Sequence, residues 1–301
     1  MSSKTVTRSL FAALVVIATA ASLPANAADK DAVLVRSRDL WRWATPSPDA
    51  TGLTYDRATK RLMISDAEVD ETPHWERKNF FVTTRTGRLL AARKFFRFTR
   101  EPEDLAWDAK RKVLYVADDD AKVVYRVGRG PDRKLATRDD VVKKVLFTDR
   151  FGSTDPEGLA LRQTRRGVVL VVTDATNDRV YKIAKGPNRR FGDADDRISS
   201  FGMRDRGFTD TEDAFYDART GHLFVVSTHI NGQDFIAEVT WNRGRLVNRL
   251  LFPSEIRASG IVIAPGTDGS RRRFYVLNSG VRHEVVPNEN DAQLLEFRIV
   301  A

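Results

Sequence analysis

Asp155-Pro156-Glu157-Gly158-Leu159-Ala160 decides how this chain reads, because shortened versions of it return along the sequence. They are Asp49-Ala50-Thr51-Gly52-Leu53, Glu101-Pro102-Glu103-Asp104-Leu105, Asp210-Thr211-Glu212-Asp213-Ala214 and Arg257-Ala258-Ser259-Gly260-Ile261. The Gly or Asp at 52, 104, 158, 213 and 260 recurs at intervals of roughly 50 residues with no helical periodicity between, the signature of propeller blades.

Each copy precedes an apolar run rich in β-branched and aromatic residues: Leu62–Ile64, Val113–Val116, Val168–Val172, Leu223–Val226 and Phe274–Leu277. Strands covered on both faces by neighbouring sheets read this way. The residue after each Gly or Asp (Leu53, Leu105, Leu159, Ala214, Ile261) is expected to pack between blades. Outer strands are expected at Lys94–Phe98, Lys144–Phe147, Ile198–Phe201 and Leu246–Phe252. An apolar segment from Ala32 to Trp43 precedes the first copy and is expected to pair with the C-terminal strand, Gln293–Val300, so that the two chain ends close the ring. The fold expected is all-β, a five-bladed β-propeller, with six blades as the alternative if the N-terminal segment founds an extra one.

Lys4 and Arg8 precede an apolar run from Leu10 to Leu23, and Ala25-Asn26-Ala27 offers small residues for a signal peptidase. Residues 1–27 therefore read as an export signal and 28–301 as one domain, secreted to the periplasm or beyond. The apolar run falls short of the roughly 20 residues that span a bilayer, and no later segment qualifies. The chain has no cysteine, which excludes disulfides and thiolate metal sites. Its formal charge of +9 favours anionic partners, a small anionic molecule or an envelope polymer. No nucleic-acid-binding motif accompanies the charge. A monomer is expected.

In a propeller the turns between first and second strands emerge at one end and the motif loops at the other. The first set is basic: Arg57–Arg61, Lys110–Lys112, Arg162–Arg166 and Arg271–Arg273. The second collects acids. Before each Gly or Asp stand Thr51, Glu103, Glu157, Glu212 and Ser259, which should converge on the channel mouth. Three converging carboxylates raise one another's pKa, and a cation would relieve them. Hard oxygen donors without His or Cys suit calcium over zinc, so these five residues are the expected metal site. His229 and His283, in loops at the acidic end, are the candidates for proton transfer. A second repeat, Gly130–Asp140 against Gly186–Asp196, reads either as a calcium loop or, given its interleaved Arg and Lys, as a solvated turn. No phosphate loop, His-Glu-x-x-His or Gly-x-Ser-x-Gly motif is present.

The units running from Pro156 to Ile183 (PEGLAL…VVLVVTDATNDRVYKI) and from Pro102 to Val127 (PEDLAWD…VLYVADDDAKVVYRV) resemble the propeller superfamily of NHL-repeat, gluconolactonase-like and SdiA-regulated proteins. The resemblance covers residues 45–300 and implies a propeller fold. It includes calcium-dependent lactonases, phosphoesterases and non-catalytic binding proteins. Gluconolactonase-like enzymes hold their metal with Glu, Asn and Asp, and no Asn matches here. By analogy, the five-bladed calcium-activated nucleotidases, with Glu and Ser oxygens on calcium, are nearer in ligand type. The expected function is thus a secreted calcium-binding propeller with an acidic ligand-binding face, either a phosphoesterase-like hydrolase, a lactonase-like hydrolase or a binding scaffold.

Overall fold

The computed structural model describes residues 27–67, 73–95, 97–229, 234–254, 256–279 and 290–300, with only the backbone of Thr228 and His229. Residues 1–26, most of the expected export signal, lie outside the described residues, as does His283. Among the described residues the chain is all-β, its helical content being two short 3-10 turns. Among the described residues no helix is long and apolar enough to cross a membrane.

Three sheets are four-stranded meanders. The first runs β2 (Ala50–Asp56), β3 (Arg61–Asp66), β4 (Phe80–Thr84) and β5 (Leu89–Arg93). The second runs β6 (Leu105–Asp108), β7 (Val113–Asp118), β8 (Val123–Gly128) and β9 (Val141–Phe147). The third runs β10 (Pro156–Thr164), β11 (Gly167–Asp174), β12 (Arg179–Ala184) and β13 (Arg197–Gly202). The fourth sheet has eight strands. It begins with the meander β14 (Phe208–Asp217), β15 (His222–His229), β16 (Asp234–Thr240) and β17 (Leu246–Leu251). Beyond β17 lie β1 (Ala28–Asp39), β20 (Gln293–Ile299), β19 (Arg273–Asn278) and, at the far edge, β18 (Ala258–Ala264).

The junction is made by β1 alone. Ala28–Asp31 pair parallel with Asn248–Leu251 of β17, and Ala32–Asp39 pair antiparallel with β20. The N-terminal strand therefore lies beside the C-terminal one. The first strands of the meanders form a closed circuit of neighbours, β2 to β6 to β10 to β14 to β18 and back to β2. A cavity of about 230 Å³ runs inside that circuit, lined by residues of all five strands from Leu53–Tyr55 round to Ile261–Ile263.

The core lies between sheets. Met63 and Phe80 pack with Leu105, Leu114 and Val116 of the next sheet. Tyr115 packs in the same way with Leu170 and Val172. The pattern continues to Leu62 and Ile64 packed with Tyr275 and Leu277, where the last strands meet the first. With no disulfide available, these seams carry the stability, each fully buried Val, Leu or Phe contributing about 1.5–3 kcal/mol.

One strand differs from the sequence expectation. The outer strand of the first sheet is Leu89–Arg93, not Lys94–Phe98. Gly87, at φ 76°, closes a tight turn by donating its N–H to the Thr84 carbonyl, which starts the return strand early. Phe95 leaves the ladder, donates its N–H to Asn79 Oδ1 and buries its ring between Phe80 and Phe98.

Candidate functional site

The ladders of β2, β10, β14 and β18 break at the recurring motif: between Ala50 and Leu53, Pro156 and Leu159, Thr211 and Ala214, and Ala258 and Ile261. Each break is a bulge, which takes residues out of the ladder and re-aims them. The residues released are Thr51, Glu157, Glu212 and Ser259, each with its Gly or Asp, while Glu103 and Asp104 stand just before β6.

Glycine is required where strands meet backbone to backbone. A Cβ on Gly52 would lie 2.5 Å from Asp104 Cα, and one on Gly158 would lie 2.5 Å from Asp213 Cα. A Cβ on Gly260 would lie 2.4 Å from the Thr51 carbonyl oxygen.

The two Asp positions of the motif form the centre. Asp104 Oδ1 accepts the Leu53 N–H at 2.9 Å, and its Oδ2 accepts the Leu159 N–H at 2.6 Å; Leu105 N–H also bonds this carboxyl. Asp213 Oδ1 accepts the Ala214 N–H, and its Oδ2 accepts the Ile261 N–H at 2.7 Å. Both side chains are buried and hydrogen-bond each other. Burial pushes the Asp104 carboxyl up to about 7, against the hydrogen bonds it accepts. Burial and then the Asp104 charge hold Asp213 well above the carboxylate range. All five first strands thus begin by donating an N–H to one of two carboxyls that hydrogen-bond each other.

The three glutamates of the expected metal site gather at this acidic end. Burial, then the charges of Glu212, Asp155 and Asp119, push Glu157 well above the usual range, while a hydrogen bond with Glu103 lowers it. Glu103 also bonds Asp119, a carboxyl itself raised by burial. Burial and then Asp210 raise Glu212, with Arg257 opposing. Thr51 and Ser259 have another use for their hydroxyl protons. Thr51 Oγ1 donates to the Glu103 carbonyl at 2.9 Å, and Ser259 Oγ donates to the Ala50 carbonyl at 2.9 Å. Both are latches between neighbouring strands.

As a metal site, the donor set fits calcium in type, since it is all hard oxygen and three of its carboxyls crowd one another. Among the described residues, however, no three His, Cys, Asp or Glu side chains are drawn into a metal cage. His229 ends β15, opposite Phe208, and so lies at the acidic end in its backbone.

Many surrounding acids hold the loops. Asp66 Oδ2 accepts Ser47 Oγ and the Asp49 N–H, and Asp174 Oδ2 accepts the Thr154 and Asp155 N–H groups. Asn278 Oδ1 accepts the Arg257 N–H. The second repeat is a pair of capped turns. Asp139 Oδ2 accepts the Asp132 N–H at 2.8 Å, and Asp195 Oδ2 accepts the Asn188 N–H at 3.0 Å. Sequence reading missed the Asp104–Asp213 pair, although its signal was present in the alternation Gly52, Asp104, Gly158, Asp213, Gly260.

No family model matches the chain, and no curated protein matches it in sequence. Solved structures do match in shape. An α-L-arabinofuranosidase from Podospora anserina in complex with cellotriose superposes with TM-score 0.57 at 11% identity, over 93% of this chain and 98% of its own. A luciferin-regenerating enzyme gives 0.52 at 13% identity, over 88% and 95%. A calcium-binding protein, regucalcin, from Agrobacterium tumefaciens gives 0.50 at 14%, over 90% and 96%. At such identities the likeness shows the fold alone, an all-β propeller.

Proposed function

We propose that the chain is an exported five-bladed propeller whose acidic mouth binds calcium and uses it to engage an anionic ligand. The blade count rests on the five-strand circuit, with β18, β19, β20 and β1 as the closing blade. Residues 1–27 are its export signal, and residues 28–301 form the domain.

The observation that carries the calcium reading is the crowding of the half-buried Glu157 against Glu103, which hydrogen-bonds it, and Glu212, whose charge reaches it. Glu103, Glu157 and Glu212 would hold the ion. Thr51 and Ser259 would contribute oxygen lone pairs, since their protons are engaged elsewhere. Bound calcium would act as a Lewis acid toward a phosphoester or lactone. Arg257, close enough to oppose the rise in Glu212, would orient the anionic group, and His229 and His283 would move protons. Regucalcin's description as a calcium-binding protein agrees with the metal.

Thermal unfolding of the purified protein with calcium and with chelator tests this reading. A ligand that binds only the folded state raises the melting temperature. The rise is expected in the native protein and is expected to shrink in Glu157→Gln. No calcium response in either protein would remove the metal and the hydrolysis built on it. A second reading, favoured by the concentration of cations at the opposite end, is a binding module that docks there to anionic envelope polymers.

A further inference from the structure

Residues at the far end of the third sheet build a cleft of about 730 Å³ against the second sheet. Register places it away from the acidic mouth. Thr164 pairs with Gly167 and Ala184 with Arg197 at one end of the sheet, whereas Pro156 pairs with Asp174 at the other. Arg111, Arg165, Arg166, Lys185, Arg189 and Arg197 line the cleft. Arg111 is paired with Asp108 at 2.8 Å. Among the described residues the other five cations have no carboxylate within ion-pair distance.

The neighbouring acids are committed to backbone. Asp195 and Asp196 accept the Asn188 and Gly192 N–H groups, and Asp108 accepts those of Lys110 and Arg111. Lys185 is held inside the cleft wall, its ammonium 4.6 Å from the Phe191 ring centroid, and Phe191 meets Tyr115 of the second sheet edge-on. Burial and the charges of Arg111 and Arg126 lower its pKa, with Asp108 and Asp196 opposing weakly. The loop carrying Lys185 and Arg189 is held by Arg150, in the 3-10 turn that follows the second sheet, which donates to the Gly192 carbonyl at 2.8 Å. The cations therefore sit on an anchored frame.

We propose that this cleft binds a small oligophosphate, an anion with two or three linked phosphoryl groups. Guanidinium forks pair with phosphoryl oxygens in a bidentate manner, and the cleft has the volume of a small-molecule site. Cations spread over the 165–166 turn, the 185–189 loop and Arg197 match charge distributed over several phosphoryl groups better than one. The proposal narrows the basic-end reading above to a single cleft and is independent of calcium at the acidic mouth.

Calorimetric titration of the purified protein with inorganic tripolyphosphate, and separately with orthophosphate, tests it. Tripolyphosphate is expected to bind, more weakly as salt rises, and orthophosphate far more weakly. The double variant Arg166→Ala/Arg189→Ala is expected to lose about tenfold or more in affinity, the scale of one charge-assisted hydrogen bond. Arg57→Ala/Arg271→Ala, which removes the same charge from turns outside the cleft, is expected to bind as the native protein does. Equal losses in both double variants, or none in either, would assign binding to the basic end at large and overturn the cleft. Orthophosphate binding as tightly would overturn the oligophosphate, and no binding by the native protein would overturn both basic-end readings. All four arginines are exposed, so folding of the variants is expected to be intact, as their melting temperatures will report.

Discussion

Asp104 and Asp213 hydrogen-bond each other at the centre of the molecule, and between them they receive an N–H from each of the five strands that line the channel. A carboxyl that holds its proton more tightly folded than unfolded favours the folded state most at low pH. For Asp104 that contribution is complete below the ordinary value of 3.8 and is lost as pH rises through about 7. In chelator, the melting temperature is therefore expected to fall as pH rises from about 4 to about 7. Asp213→Asn, which cannot ionise, is expected to flatten that slope; an unaltered slope would mean the pair is not its source.

Replacing Asp104 by Ala strands the N–H groups of Leu53 and Leu159 together. Each buried unsatisfied donor costs about 1–3 kcal/mol, so a loss of several kcal/mol is expected in urea unfolding. A loss below about 1 kcal/mol would show that the carboxyl does not hold the strands.

Gly158→Ala forces a Cβ onto Asp213 Cα and the Glu212 carbonyl, both backbone. Because neither can turn aside, a loss of about 3 kcal/mol is expected. Gly221→Ala, in open space but at φ 74°, is expected to cost only about 1–2 kcal/mol. Denaturant unfolding of the two variants side by side separates backbone crowding from backbone conformation.

Thr51→Val and Ser259→Ala remove latch hydroxyls that donate to Glu103 and Ala50 carbonyls. Each is expected to cost about 1 kcal/mol in chelator, with a further loss in calcium, where the removed oxygen would also have served the ion. If the loss appeared only with calcium, the hydroxyls would be acting as metal ligands first and latches second.

Asp195→Ala frees the Asn188 N–H that the carboxylate caps. The turn is expected to lose about 1 kcal/mol with no dependence on calcium, measured by thermal unfolding in both conditions. A calcium-dependent loss would reinstate the metal-loop reading of this repeat.

The sequence by itself determined the period, the second strands and the expected ends of the sheets, because those follow from local patterning. Apolar runs such as Val168–Val172 need cover on both faces, and basic turns such as Lys110–Lys112 need solvent. It also placed Glu103, Glu157 and Glu212 at one mouth, since equal positions in equal repeats must lie around one axis. The pairing of Ala32–Asp39 with the C-terminal strand was legible from an apolar segment that lacked a motif of its own. What only the tertiary structure decided were relations across the repeats. Asp104 meets Asp213 through the axis, and no local pattern says which carboxyl faces which. Thr51 and Ser259 read as metal ligands in one dimension, and only the structure shows that their protons go to carbonyls that sequence separates by 52 and 209 residues. The strand at Leu89–Arg93 was lost to the aromatic run after it, because burial of Phe95 came from neighbouring packing and not from its own ladder. Lys185 and Arg111 likewise share a cleft only because two blades set their turns side by side. Side-chain chemistry is written locally, whereas its partners are chosen by the closure of the ring.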